Sequence, residues 1–591
     1  GFLNTALLLA NGRLYDITDA DPNIRCQAII GDYTRLDPKW GVERTWRSPF
    51  ATWAPGYVQA ASAGRVSIAA PAARLQGDIL GRAGAGPYQR EVGRIPLGGQ
   101  LDIALSGGAQ AMDVRFVGAP TAPDMAFDDA ILSGGELELP VGWLADYGLS
   151  GLDVKAEGRI TLPAGLALRP RPGSAVVDGV STTSSVRLTA LHVDIAGDIL
   201  VPGGAIALVS QGAGANPAQG VRVAGGARLD TSGQWINERP EAGGPGTRPL
   251  LINGGSITLR SESDILLGTL DAGVLTPAVL NLDGGAWQKA DGKLVAGNGG
   301  SLSVVTRTAS VDQPLGKVVL GAAISGHAPG KGGSLTLEAG QVLVRDGVAD
   351  RSGSAPLLAA DDLATDQELV VPDWLFSEFG FGAYSVTDNR LGLRVQSGAD
   401  VVVEVPFLEL GAAALRAPSG SDMHAVATLS RDPLRRRAGA ITLAHQRTDQ
   451  AAPGTDLVFE AGARIATDPT GSVSLRSTTS LFAAGAIDAP AGSIELKLAA
   501  AGQNLGFGYL PEQALWLADT ARLSTAGALR STPAPAGLRR GDVLDGGSVR
   551  LIAERGFVVQ QAGSVVDVSG AAAVLDLPTG PPGPPPAAPV A

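Results

Sequence analysis

The sequence predicts an all-β chain wound as a β-solenoid, and three observations carry that prediction. The phrase Gly-Gly-Ser-aliphatic-polar-aliphatic recurs at 254–259, 299–304, 332–337 and 546–551, with looser copies at 470–475 and 491–496. Two copies continue alike, through Asp264-Ile265-Leu266-Leu267 to Leu270-Asp271-Ala272-Gly273 and through Phe557-Val558-Val559 to Val566-Asp567-Val568-Ser569-Gly570. The chain is 45% hydrophobic but only 5% aromatic, which is the aliphatic material that narrow coils accept. A unit of three short strands in roughly 20 to 25 residues cannot bury its own apolar face, so it must stack on copies of itself.

The elements follow in chain order. Residues 1–55 lie outside the repeat and hold Trp40, Trp46 and Trp53, three of the eight tryptophans. They read as a packed cap or excursion, or else as an aromatic platform for sugar. The repeat begins near Gly64-Arg65-Val66-Ser67-Ile68, loosens between about 110 and 180 around Pro140-Val141-Gly142-Trp143-Leu144 and Tyr147, and resumes at Gly204-Ala205-Ile206-Ala207-Leu208. The first solenoid segment thus spans 56–350. Residues 351–390 form an aromatic-rich insertion: Asp361-Asp362 would cap a short helix from Leu363 to Leu369, ahead of Trp374, Phe376, Phe379, Phe381 and Tyr384. Solenoid coils continue over 391–577, and 578–591 is a Pro-rich linker. Within each strand alternate aliphatics such as Ile257 and Leu259 point inward. Roughly 20 to 25 coils at a spacing of about 4.8 Å would give a rod of about 100 Å.

Composition narrows the function. The net charge of −12 carries no basic stripe interleaved with aromatics, which argues against nucleic acid. No apolar run reaches the roughly 18 residues of a membrane span. Cys26, the one cysteine, has no partner for an internal disulfide. The chain begins with Gly, which points to a piece of something longer.

No catalytic constellation, metal motif or cofactor fingerprint emerges. His192, His327, His424 and His445 lack metal-site spacing and read as surface residues. The pairs Asp128-Asp129 and Asp361-Asp362 could serve sugar chemistry, but adjacent Asp residues more often cap turns. The recurring Asp in Leu229-Asp230-Thr231-Ser232-Gly233 reads as an Asx turn at a corner, because the Gly-Gly-x-Gly-x-Asp nonapeptide of calcium-binding β-rolls is absent. Arg540-Gly541-Asp542 is a tripeptide that many integrin ligands use, here a weak receptor motif in a place where a turn is needed.

The Gly-Gly-Ser units, the Val-Asp-Val-Ser-Gly closure, the run from Gly56-Tyr57-Val58 to Gly86-Pro87-Tyr88-Gln89-Arg90, and Phe379-Gly380-Phe381-Gly382-Ala383-Tyr384-Ser385 resemble the filamentous haemagglutinin-like exoproteins of Gram-negative bacteria. The resemblance covers most of residues 40–575 and rests on short motifs. It implies a right-handed parallel β-helix with irregular excursions, exported by an outer-membrane two-partner secretion transporter and displayed as an adhesin on host or bacterial glycans or proteins. The Asn-Pro-Asn-Gly and Asn-Pro-Asn-Leu motifs of the family's amino-terminal secretion domain are missing. The segment is therefore expected to be a middle or carboxy-proximal part, with its secretion signals outside it. The alternatives are a self-associating filament or sheath subunit and a β-helix polysaccharide lyase or glycosidase.

Overall fold

The computed structural model describes residues 7–46, 57–121, 135–212, 219–307, 316–347, 369–446, 456–500, 513–532 and 538–576, apart from short breaks within those ranges. Trp53, Cys26, Asp128-Asp129, Asp361-Asp362, residues 363–368 of the helix expected from Leu363 to Leu369 and the tail at 578–591 lie outside them, while Leu369 opens the strand Leu369–Pro372. The chain forms two compact units, residues 1–60 with 85–88, and residues 61–84 with 89–591. The small unit is antiparallel, with Leu7–Ala10 between Arg13–Asp16 and Ala28–Ile30. It also holds a hairpin of Tyr33–Asp37 and Val42–Trp46.

The large unit is a parallel β-helix. One face is a single sheet of thirteen strands, and every copy of the Gly-Gly-Ser phrase feeds a strand of it, from Arg65–Ala70 through Ser256–Ser261 to Ser548–Ala553. The other two faces are each divided into successive sheets, of seven and seven strands and of five and five. Neighbouring coils stack in register, Ile257 beside Leu302 and Leu259 beside Val304. These inward residues are fully buried and belong to one core that runs along the stack. Each contributes on the order of 1.5–3 kcal/mol by leaving water.

The stacking explains the second glycine of the phrase. A Cβ on Gly255, Gly300 or Gly333 would stand 1.9, 2.2 or 1.8 Å from the carbonyl oxygen of the glycine one coil below, namely Gly204, Gly255 and Gly300. Gly547 meets Gly492 in the same way, at 2.0 Å. Close approach of backbones demands glycine there; none of these four has a positive φ.

Corners are built from buried polar side chains. Ser210, Ser261, Asp388 and Ser477 end strands of the long sheet and accept the N–H of the residue two positions on, as at Ser263 (2.9 Å) and Arg390 (3.2 Å). At another corner Asp230, Asn281 and Asp567 do the same for Ser232, Asp283 and Ser569. The Asx turns expected at the Asp-containing closures are therefore present. The structure also corrects the expectation of surface histidines: His192, His327 and His445 are buried, His327 bonding the Glu378 carbonyl and His445 the Asp388 carboxylate.

Two excursions prove to be one device used twice. Glu136–Pro140 lies parallel to Asp113–Val117, and Leu369–Pro372 lies parallel to Val342–Arg345. After each comes a short helix, Gly142–Asp146 or Leu375–Glu378, and then a glycine with positive φ, Gly148 (71°) or Gly380 (74°). The shared residues are Pro140 and Pro372, Trp143-Leu144 and Trp374-Leu375, and Tyr147-Gly148 and Phe379-Gly380. In both, the Trp ring sits 6.0 Å from the following aromatic ring. Each device supplies the first strand of a seven-stranded sheet.

The stack is shorter than the repeat period suggested. Thirteen strands in the long sheet at about 4.8 Å span roughly 60 Å, not 100 Å. The coils from Ser185 to Ala205 and from Ser472 to Ser493 have the expected minimal period. Most others spend extra chain on side arms, which lengthen the sequence without lengthening the helix. The largest described arm interrupts the second segment with an antiparallel hairpin, Phe407–Leu410 with Ala427–Ser430, carrying a short helix at Met423–Val426.

Candidate functional site

The arm between the hairpin strands folds back on coils nearly two hundred residues earlier. Trp235 is buried there with Ala286, Leu408, Ala414, Met423 and Val426. Its indole Nε1 donates to the Ala417 carbonyl at 3.2 Å. The Asn237 amide donates to the carbonyls of Ala414 and Ala417, both at 3.0 Å, and the Gly420 N–H donates to the Trp235 carbonyl at 2.8 Å. Gly420 has a φ of +89° and lies against the Arg248 guanidinium, leaving no room for a side chain.

A cleft of about 340 Å³ opens where this arm crosses the corner ladder. Its floor carries Asp230 and Asn281 on adjacent rungs. Its walls include Arg228, Arg248, His424, Leu200, Pro202 and Met423. Three carboxylates line it, Asp230, Asp283 and Asp422, and each already accepts from a protein donor. Asp230 pairs with Arg228, accepts the Ser232 N–H at 2.8 Å and lies 3.4 Å from the Asn281 amide nitrogen. Asp283, only 1% exposed, accepts from the Ser325 hydroxyl, from the His327 N–H at 2.7 Å and from His424 Nε2 at 2.8 Å. That last bond raises the His424 pKa above its ordinary value. Burial pushes the His327 pKa down instead, and its Nε2 donates to the Glu378 carbonyl at 2.9 Å. Arg248 is held through its backbone, with its carbonyl accepting from Arg90 Nε at 2.9 Å. Its guanidinium has no acidic partner among the described residues.

Comparison with known protein families, characterised proteins and solved structures finds no match to this chain. Function is therefore argued from the geometry.

The residues singled out in the sequence are not gathered in this cleft. Trp374, Phe376, Phe379, Phe381 and Tyr384 come together, but inside the main core. Tyr384 packs edge-on against Phe376 at 5.2 Å and Phe381 at 6.1 Å. Trp40 is 71% exposed at the hairpin turn of the small unit, with Lys39 Nζ 5.2 Å from its ring centre; Trp46 lies on the following strand. Arg540-Gly541-Asp542 forms a paired strand with Leu529–Thr532 rather than a turn, and Asp542 is bonded by Arg530 at 2.8 Å. Among the described residues no three His, Cys, Asp or Glu side chains converge to hold a metal ion, and no helix is long and apolar enough to cross a membrane.

Sequence reading missed the cleft because its parts are far apart in the chain. One signal was available: Asp422 beside Met423 and His424 in a polar stretch marks a short capped helix, and the Asp422 carboxylate does accept the His424 N–H at 2.9 Å.

Proposed function

We propose that this chain is a β-helical segment of a surface-displayed exoprotein whose work is attachment, with the helix as stalk and its side arms as contacts. The observation that carries the reading is the combination of an uninterrupted thirteen-strand stack with an arm that folds back to make a polar cleft on the stalk. The resemblance to filamentous haemagglutinin-like exoproteins supports the same reading, including export through a two-partner transporter by a region outside this segment. The role is binding rather than catalysis, since the buried carboxylates of the cleft are occupied by protein donors. Beads coated with the purified chain should be retained on epithelial or bacterial cell layers, and excess soluble chain should compete them off. Retention no greater than that of beads carrying an unrelated acidic protein would sink the proposal.

A second reading, self-association, has its own observation. The coil of Ser548–Ala553, Phe557–Gln560 and Val565–Asp567 leaves Val558 and Val566 exposed, where their partners Leu515 and Leu523 on the coil before are buried. Such a face with an open strand edge pairs readily with another chain. Sedimentation across a hundredfold concentration range separates the two: a constant monomer favours the stalk, and growing oligomers favour the filament.

A further inference from the structure

We infer that an outward-facing aromatic ladder on the second solenoid segment, Phe482 and Trp516 on adjacent rungs, binds a neutral oligosaccharide by stacking on its pyranose rings. This surface lies apart from the cleft, and the inference goes beyond the attachment reading.

The ladder follows from strand alternation. Leu457 and Phe459, Leu481 and Ala483, and Leu515 and Leu517 are buried in the main core, so the residue between each pair points outward. These residues are Val458, Phe482 and Trp516, which register places side by side, with Val559 on the next rung. Phe557 faces the same way as Val559, beside Ala514 and diagonal to Trp516. Phe482 is 39% exposed and Phe557 54%, and none of the five side chains belongs to the main core. The matching column of the first segment runs through Arg115, Thr161, Asp194 and Arg222, as a solvated face does. Its apolar members, Leu266 and Val319, pack with the core. An outward aromatic column that the core does not use marks a contact surface.

Size and charge select the occupant. From Val458 to Val559 the strip spans four rungs, about 14 Å, by three residues of strand, about 10 Å. That falls far short of the roughly 800 Å² per partner of a stable protein interface, and it suits a short run of sugar rings. Aromatic faces accept the C–H face of a pyranose, leaving its hydroxyls to the rim. Arg394, on the rung before Val458, is balanced by Glu460 at 3.5 Å, so no ionic group of a ligand is selected. The exposed amides of Gln396 and Gln561 lie two residues beyond Arg394 and Val559 and match hydroxyl groups. Gln561 uses only its oxygen, on the Asp519 N–H, and keeps its NH2 group. A nucleobase would also stack, but the net charge of −12 repels its phosphates.

The test is calorimetric titration of the full chain with cellotetraose and chitotetraose, both neutral. At least one should bind, with an affinity unchanged from low to high salt. Trp516→Leu and Phe482→Leu should each weaken binding about tenfold or more, while Trp516→Phe keeps most of it, because a ring and not mere apolar bulk is required. The circular dichroism spectrum of each variant should match the parent. Binding of neither sugar, indifference to both leucine variants, or equal loss in Trp516→Leu and Trp516→Phe would overturn the inference. So would dimers of the parent, seen by sedimentation, that Trp516→Leu disperses, since the strip would then be a contact between copies. The bead assay keeps the two proposals distinct. Cell retention of a chain that binds neither sugar leaves the stalk reading standing without this ligand. Trp516-dependent sugar binding without cell retention leaves the ligand standing without the stalk reading.

Discussion

At the scale of single residues, the corners of the helix decide both stability and pH response. His445 and Asp388 are wholly buried partners at one corner, and Asp388 Oδ1 also accepts the Gly392 N–H at 2.9 Å. His445→Ala removes a partner from a buried carboxylate and should cost about 1–3 kcal/mol in denaturant unfolding. His424 and His327 flank Asp283 with opposite shifts. The raised pKa of His424 means that its contribution to holding the arm is complete below the ordinary histidine value near 6.5 and fades as pH rises through the higher folded value. The lowered pKa of His327 means that the contribution of its neutral form is complete above that ordinary value and is lost as pH falls. Hydrogen exchange at 420–426, corrected for intrinsic rate, should therefore show less protection at pH 9 than near neutrality, and His424→Gln should flatten that slope. Protection that rises with pH, or a slope unchanged in the variant, would contradict the assignment. None of this was legible in the sequence, where each histidine stands alone; burial is a property of the corner, and the corner exists only once coils stack.

At the scale of elements, the repeat phrase was legible and its physical reason was only half so. The aliphatic alternation fixes which residues face inward, and every quoted copy does enter the long sheet. The paired glycines mark rungs whose backbones touch, a contact between coils that spacing along one strand does not reveal. Gly300→Ala should therefore cost more than the roughly 1–3 kcal/mol typical of overpacking. Gly226→Ala, at a φ of 82° with open space around it, should cost about 1 kcal/mol, the strain of a left-handed residue. Equal unfolding free energies for the two variants would argue against close stacking as the cause. The Pro-Trp-Leu devices were visible as separate irregularities. Their equivalence needed the structure, since the spacing from Pro to Trp and from Trp to the following aromatic differs between them, while the parallel strand, the short helix and the packing of Trp143 with Tyr147 and Trp374 with Phe379 repeat.

At the scale of the whole chain, the solenoid class was written in the sequence and the arms were not. Periodicity describes neighbours one coil apart; the bonds of Trp235 and Asn237 to 414–420 cross about 180 residues and leave no local signature. The consequence is a stalk of fewer, longer coils, with its polar cleft placed by an arm from a later one. The account depends most on one claim, that the long face continues unbroken from the first segment through the second device into the last coils. Ala207 and Ser474 occupy equivalent half-exposed positions on it, connected through Thr258, Ser303, Thr336, Ser385 and Thr442. Spin labels at Ala207→Cys and Ser474→Cys, in a Cys26→Ser background, should report a backbone separation of about 29 Å, six rungs of about 4.8 Å, in a narrow distribution. A broad distribution, or a separation displaced by more than the reach of the labels, would show that the two segments do not share one stack.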